Sequence, residues 1–110
     1  MGTRSTVIIV LNKKVLIDAL LKVNPLPQEL VDTECIHETE EAKYWLWGDI
    51  KWYETYPEIK TVMDYLSELD EDNFGFMENN EEYGFIFLGT PWKYDIKDYN
   101  YIDTPWGHEH

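Results

Sequence analysis

Hydrophobic and polar positions along the chain define its first two elements. Residues 5–11 (STVIIVL) are β-branched and mostly apolar, which predicts a central strand covered on both faces. Asn12 can cap a helix over residues 13–23, because its side chain can accept a hydrogen bond from the first turn. The prolines that follow end this helix. The predicted buried face of the helix consists of Leu16, Ile17, Leu20, Leu21 and Val23.

The middle of the chain predicts a second strand and a second helix. Residues 28–42 are polar and acidic, which indicates a loop with one short helical turn. Residues 43–53 have the composition of a strand that is interrupted or bulged at Gly48. Pro57 suits the first position of the clearest helix, whose apolar residues recur at helical spacing. That apolar stripe consists of Ile59, Val62, Met63, Leu66 and Leu69.

The last third of the chain predicts a hairpin. Residues 74–77 and 83–88 read as two strands joined across residues 78–81. Residues 92–96 add a last short strand after a turn proline.

Together these elements predict one α+β domain over residues 1–98. Its sheet is mixed or antiparallel, it has two helices, and its element order is β-α-β-α-β-β. Residues 99–110 form an acidic, aromatic C-terminal tail to which no element is assigned. The single cysteine allows no internal disulfide and suits a reducing compartment. No segment approaches 18 consecutive apolar residues, so no membrane span is predicted.

Charge is the largest departure from an average globular protein. The chain has 9 basic and 22 acidic residues, a formal net charge of −13. Residues 1–24 contain four basic residues and one acidic residue, a net of +3, so residues 25–110 carry −16. Such a field repels nucleic acids and anionic membranes, and it attracts basic surfaces, including those that normally bind nucleic acids. We therefore expect no direct nucleic-acid or membrane binding, and a protein partner with a basic surface.

The segment DEDNFGFMENNE, which starts at Asp70, resembles a calcium-binding loop. The pattern needs side-chain oxygens at positions 1, 3 and 5, a glycine at position 6 and a carboxylate at position 12. Four of these positions are filled by Asp70, Asp72, Gly75 and Glu81. Position 5 is Phe74, and the residues after Glu81 have strand composition where an exit helix is needed. The sequence therefore predicts a helix end, an acidic turn and a hairpin.

Catalytic and metal-binding motifs do not change this picture. Cys35 and His37 lie among four glutamates, but no second ligand pair stands at zinc-site spacing. Neither an oxyanion-hole signature nor a Gly-rich turn accompanies them, and His108 and His110 lie at the chain end. The sequence predicts a non-enzymatic protein with no cofactor and no metal site.

Acidic residues in and after the helix over residues 58–69 form the first candidate site. Asp64, Glu68 and Glu71 fall on one exposed helical stripe, where carboxylates on neighbouring turns lie ~5–6 Å apart. Carboxylates at the negative end of a helix are repelled by ~0.3–1 kcal/mol each, so folding alone does not favour them. One interpretation is a surface that imitates phosphates, and the other is an ordinary solvated face. The nearby acidic residues are Asp70, Asp72, Glu78, Glu81 and Glu82.

Aromatic residues supply the second candidate site. Trp45 and Trp47 share one face of a predicted strand, with Leu46 on the other, and their size favours the core. The aromatic residues of the acidic tail are harder to bury, and tyrosine and tryptophan are common anchors at protein interfaces. These candidate anchors are Tyr99, Tyr101 and Trp106.

Two neighbouring runs resemble a block in small, uncharacterised, acidic bacteriophage proteins. They are WGDIKWYETYPEIK, residues 47–60, and YLSELDEDNFGF, residues 65–76; the opening MGTRSTVIIV resembles phage proteins as well. The resemblance implies a viral origin and a role in the cytoplasm of the infected host cell. It implies no catalytic residues, and it favours host-directed inhibitors, which are often small, acidic and non-enzymatic.

These observations predict a phage-encoded inhibitor that presents an acidic, phosphate-like surface to the nucleic-acid-binding site of a host protein. Defence nucleases, restriction or CRISPR effectors, and transcription or repair proteins are all eligible targets. The alternative is a protein-interaction or assembly module that binds its partner through an apolar or aromatic patch or a sheet edge.

Overall fold

The computed structural model describes residues 4–80 and 82–94, which contain five strands, three α-helices and two 3₁₀ turns. This confirms the predicted α+β class. No helix in these residues is long and apolar enough to cross a membrane. In chain order the elements are β1 (Ser5–Asn12), α1 (Lys13–Leu20), α2 (Gln28–Asp32), β2 (His37–Glu38), β3 (Ala42–Ile50), α3 (Pro57–Ser67), a 3₁₀ turn (Glu71–Asn73), β4 (Phe74–Asn80), β5 (Gly84–Gly89) and a second 3₁₀ turn (Pro91–Lys93).

The strands form one antiparallel sheet in the order β2-β3-β1-β4-β5. Strand β1 lies in the centre, where Ile9 is opposite Trp45 of β3 and Phe76 of β4. The register between β1 and β3 shifts beside Gly48 and Asp49, and Asp49 has a φ of 55°. This bulge confirms the interruption predicted at Gly48.

Both faces of β1 are buried, as its continuous apolar sequence predicts. Val7, Ile9 and Leu11 point to the face on which the three helices pack. Ile8 and Val10 point to the opposite face, where they form a smaller cluster with residues of β3 and β4. All five side chains are fully buried, so the hydrophobic core extends on both sides of the central strand.

Helix α1 starts as predicted but ends early. The Asn12 side chain accepts a hydrogen bond from the Val15 backbone N–H (3.2 Å), which confirms the predicted cap. At the other end Lys22 adopts a left-handed conformation (φ 61°), and the Val23 N–H donates to the Asp18 carbonyl (2.9 Å). This Schellman arrangement stops the helix at Leu20, so the prediction of a helix to residue 23 is wrong.

The predicted buried face of α1 is wrong for four of its five residues, since only Leu16 of the five packs against the core. Val15 is buried, whereas Leu20 is 81% exposed, Val23 71% and Leu21 68%. The helix follows β1 without a loop, and the Lys13 N–H is bonded to the Glu41 carbonyl (2.8 Å) at the end of the sheet. Its first turn is therefore fixed against the core, while the apolar residues of its later turns point to solvent.

Helix α3 follows the sequence closely. Pro57 occupies its first turn, and Ile59, Val62 and Leu66 are buried against the sheet. The helix ends at Ser67, and residues 71–73 form a separate 3₁₀ turn. The acidic residues after Ser67 therefore do not continue the helix, and the predicted helical stripe that included Glu71 is wrong.

The predicted C-terminal hairpin is present, but its first strand is longer than predicted. Strand β4 runs to Asn80, so Glu78 lies inside the strand and not in the turn. The segment that resembles a calcium loop is thus a 3₁₀ turn followed by an extended strand. A short strand is predicted over residues 92–96, but residues 91–93 form a 3₁₀ turn, and residues 95 and 96 lie outside the described residues.

Two glycines allow the second 3₁₀ turn to pack on β4. Gly75 and Gly89 are opposite each other in the β4–β5 pair, and Gly89 has a φ of 68°. A Cβ atom at Gly75 would lie 2.6 Å from the Pro91 Cα, and one at Gly89 would lie 2.4 Å from the Phe74 carbonyl oxygen. These contacts leave no room for a side chain at either position.

Candidate protein-interaction surfaces

The acidic residues after α3 lie on a turn that is tied to the C-terminal part of the described chain. We call Glu68, Asp70, Glu71 and Asp72 the acidic turn. The buried Thr90 hydroxyl donates to the Glu71 carbonyl (3.0 Å), and the Tyr94 hydroxyl donates to the Asp72 carbonyl (3.1 Å). These bonds fix the backbone, and all four acidic side chains of the turn are exposed. The acidic turn is therefore an ordered surface with outward carboxylates.

Ion pairs divide the predicted acidic site into compensated and uncompensated carboxylates. Lys60 pairs with Asp64 (2.8 Å), and Lys93 pairs with Asp72 (2.7 Å). The hydrogen bond from Lys60 to the Asp64 carboxylate, with the attraction of its charge, raises the pKa of Lys60 above its usual range. For the other three residues of the acidic turn, the described chain provides no ion-pair partner. These residues are Glu68, Asp70 and Glu71.

Asp64 and Glu68 share a shallow groove of about 290 Å³ between α3 and residues 24–27. Glu71 belongs to the 3₁₀ turn that precedes β4, so helical spacing does not place it with them. The structure therefore brings together Asp64 and Glu68, and separately groups Glu71 with Asp70 and Asp72.

Glu78 is not an exposed contact residue, contrary to the sequence-based prediction. Its side chain is 7% exposed and accepts a hydrogen bond from the Ser5 hydroxyl (2.6 Å). Asn80 in turn donates to the Ser5 hydroxyl (3.0 Å). The carboxylate thus belongs to a buried network that joins the ends of β1 and β4. Because β4 is longer than predicted, strand alternation places Glu78 on the same face as the buried Phe76.

The remaining predicted residues lie at or beyond the limits of the described chain. Glu82 is exposed, and its backbone N–H donates to the Asn80 side chain (2.8 Å) in the turn before β5. The four others fall outside residues 4–80 and 82–94. They are Glu81, Tyr99, Tyr101 and Trp106.

An apolar groove of about 700 Å³ between α1, α2 and the β2–β3 turn was missed by the sequence analysis. We call it the apolar groove. Its floor and walls are Leu16, Ile17, Leu20, Pro25, Leu26 and Val31, and its charged rim is Lys13, Lys22, Lys43, Glu38 and Glu40.

The sequence does contain a signal for this groove. Successive residues of a helix are about 100° apart around its axis. Leu16, Ile17 and Leu20 therefore form an apolar arc whose centre lies about 150° from Val15. Only one of these two sides can face the sheet. The helix buries Val15, packs Leu16 partly against the core and leaves Ile17 and Leu20 exposed.

The edge strand β5, and the neighbouring residues Cys35 and His37, are weaker candidates for a functional site. Strand β5 has no charged residue, and Ile86 and Leu88 are each 38% exposed at its side of the sheet. Cys35 and His37 lie near the opposite edge. Nowhere in residues 4–80 and 82–94 do three or more potential ligands cluster as a metal site would require.

No family model, curated protein or solved structure matches the chain. The surfaces of the molecule are therefore the basis for any functional conclusion. Two of them differ in chemistry: the acidic turn carries uncompensated negative charge, and the apolar groove exposes aliphatic side chains.

Proposed function

We propose that the protein is a non-enzymatic inhibitor that binds the basic, nucleic-acid-binding surface of another protein through its acidic turn. The observation that carries the proposal is the placement of Glu68, Asp70 and Glu71. They are exposed at and beyond the C-terminal end of α3, without an ion-pair partner in the described chain. Glu68 is the C-cap of α3, where a carboxylate is repelled by about 0.3–1 kcal/mol, so stability alone does not account for it.

The rigidity of the acidic turn supports a binding role. Hydrogen bonds from Thr90 and Tyr94 and the Lys93–Asp72 ion pair hold the turn against the C-terminal segment. A backbone that is fixed before binding loses little conformational entropy on association, so only the side chains are left to be ordered. The exposed carboxylates of the turn can therefore replace phosphates on a partner's lysine and arginine side chains.

The net charge of −13 supports the same role over a longer distance. Complementary fields raise association rates and suppress binding to acidic partners. The resemblance of residues 47–76 to small bacteriophage proteins is the reason for proposing the host cytoplasm as the site of action. A defence nuclease, a restriction or CRISPR effector, or a transcription or repair protein would offer the required basic surface.

Two matched variants test the proposal. Glu68→Gln/Glu71→Gln removes two carboxylates from the acidic turn, and Glu34→Gln/Glu38→Gln removes two exposed carboxylates in and just before the opposite edge strand, β2. Each protein is used to capture partners from nuclease-treated bacterial lysate. The Kd of the captured protein is then measured from about 50 to 500 mM salt, with DNA as competitor.

We expect the acidic-turn variant to bind at least about 30-fold more weakly, since losing one member of a close interfacial charge pair costs about 2–5 kcal/mol. The edge variant should bind like wild type, and DNA should displace the partner. Equal binding by both variants, or affinity that is flat in salt with no competition by DNA, would refute the proposal.

A further inference from the structure

The face of the sheet opposite the three helices is buried more deeply than its own strands can explain. We call it the second face. Ile8, Val10 and Met77 on this face are each 0% exposed. Apart from Tyr94, every described residue of their cluster belongs to a strand of the sheet. Because a sheet buries a face only by packing it against another layer, a further part of the molecule must lie over the second face.

The edge strand β5 shows the same asymmetry. Ile86 and Leu88 point to the helix face, where each is 38% exposed. Phe85 and Phe87 point to the second face, where they are partly buried and their rings stack 5.9 Å apart. If only the helices covered the sheet, the second face of this edge strand would be the more exposed one. The covering layer therefore extends as far as β5.

The position at which the described chain ends indicates which segment supplies this layer. The parts of the sequence outside the described residues are 1–3, 81 and 95–110. The described chain ends at Tyr94, which packs against the cluster of the second face. The 16 residues that follow reach about 50 Å when extended, whereas the eight residues of β1 span about 26 Å and residues 1–3 about 10 Å. Only residues 95–110 are long enough to cross the whole face.

The composition of this segment suits an apolar sheet face. Tyr99 and Tyr101 alternate with the polar residues Asp98 and Asn100, which is the pattern of an extended segment with one apolar side. Aromatic side chains also bury more apolar area than any others, so a short segment can cover a wide surface. The large apolar residues of the segment are Ile96, Tyr99, Tyr101, Ile102 and Trp106.

We propose that residues 95–110 lie across the second face and form the second layer of the hydrophobic core. The side chains of Tyr99, Tyr101 and Trp106 then stabilise the fold and are not anchors for a partner. The acidic turn is not part of the second face. The proposed function and this inference can therefore fail independently.

Thiol labelling of the full chain tests the proposal. In a Cys35→Ser background, Phe87→Cys places the only thiol on the second face, and Ile86→Cys places it on the helix face of the same strand as a matched control. Each protein is prepared with the wild-type segment and with Tyr99→Ser/Tyr101→Ser/Trp106→Ser. Far-UV circular dichroism establishes that each variant is folded.

With the wild-type segment, we expect the thiol of Phe87→Cys to react at least about tenfold more slowly than that of Ile86→Cys, because a covered site reacts only when it opens locally. The triple substitution should accelerate the reaction of Phe87→Cys and leave that of Ile86→Cys unchanged. Equal rates with the wild-type segment would overturn the proposal. So would a triple substitution that leaves Phe87→Cys protected, or one that accelerates both thiols alike.

A second measurement needs no substitution in the sheet or in the apolar residues of the segment. A nitroxide on Asp103→Cys, again with Cys35→Ser, should broaden the amide resonances of β1 and β4 more than those of α3, which packs on the other face. Equal broadening of strands and helix, or none, would contradict the proposal. When the nitroxide and the isotope label are on different copies, no broadening is expected; broadening there would assign the cover to a second copy and refute the proposal.

Discussion

Replacing Gly75 by alanine should destabilise the protein, because the new methyl group has no space. Its Cβ would lie 2.6 Å from the Pro91 Cα and 3.0 Å from the Pro91 Cβ, whereas ordinary contacts begin at 3.4 Å. The nearer atom belongs to the backbone, so the whole 3₁₀ turn Pro91–Lys93 must move away from β4. Overpacking of this kind costs about 1–3 kcal/mol. The lower chain entropy of alanine in the unfolded state returns about 0.4–1 kcal/mol.

The expected net effect of Gly75→Ala is a loss of about 1–2 kcal/mol in the free energy of unfolding. Gly48→Ala is the control, because no atom lies within 4 Å of a Cβ at this exposed position. It should leave stability unchanged or raise it slightly.

Urea denaturation and thermal melts, both followed by tryptophan fluorescence, measure both variants. The expected loss corresponds to a fall in the melting temperature of about 4 °C or more. If Gly75→Ala is as stable as wild type, the turn does not pack on β4 as described. If Gly48→Ala loses as much stability as Gly75→Ala, the cost comes from the backbone of the glycine and not from the contact with Pro91.

Three further substitutions test other parts of the structure by the same denaturation assay. Ser5→Ala should cost about 1–3 kcal/mol, because it leaves the buried Glu78 carboxylate without its hydrogen-bond donor; an unchanged midpoint would contradict this network. Lys22→Gly should add up to about 1 kcal/mol by removing the strain of a left-handed non-glycine residue, and a loss would show that this conformation is not adopted. Burial, with the Asp18 carboxylate nearby, raises the pKa of Tyr65 above its usual value of 10. Stability is therefore lost as the pH rises above about 10, and Tyr65→Phe should reduce that loss. At pH 8 the same variant should be neutral or more stable, since the Tyr65 hydroxyl is buried without a partner in the part of the chain described; a loss of stability at pH 8 would contradict this.

The sequence pattern of a strand or helix predicted its buried side correctly where that pattern fits the core in only one orientation. The continuous apolar run of β1 identified a strand with two covered faces, since no alternation was present for a single covered face. Pro57 marked the start of α3, and its stripe at helical spacing marked the buried side. In each case the pattern admits one orientation against the core.

The errors arose where tertiary contacts decide between two orientations. Helix α1 has apolar residues on two sides, Val15 on one and the arc around Leu20 on the other. Its direct connection to β1 turns the Val15 side toward the core. The polar composition of residues 78–81 predicts a turn at Glu78. In the structure Glu78 pairs with Val7 of β1, so β4 continues through this residue. Neither contact is encoded within a window of neighbouring residues.

The sequence predicted that the residues of the acidic candidate site are exposed, but not how they are arranged. The exposure of Asp70, Glu71 and Asp72 follows from their charge. The break after Ser67 and the pairing of Asp72 with Lys93 depend on how the segment after β5 folds back over the turn. Sequence spacing cannot supply that long-range contact.

The central position of β1 has a consequence for synthesis of the chain. The ribosome delivers β1 first, and β3 closes one of its edges about 35 residues later. The other edge is completed by β4, where Val7 pairs with Glu78, a residue about 70 positions after Val7 in the chain. At ~5–20 residues per second, the ribosome needs about 4–14 s to reach that point. During this interval the central strand of the protein has an open edge, and an unpaired edge of an apolar strand is prone to aggregation until its partner arrives.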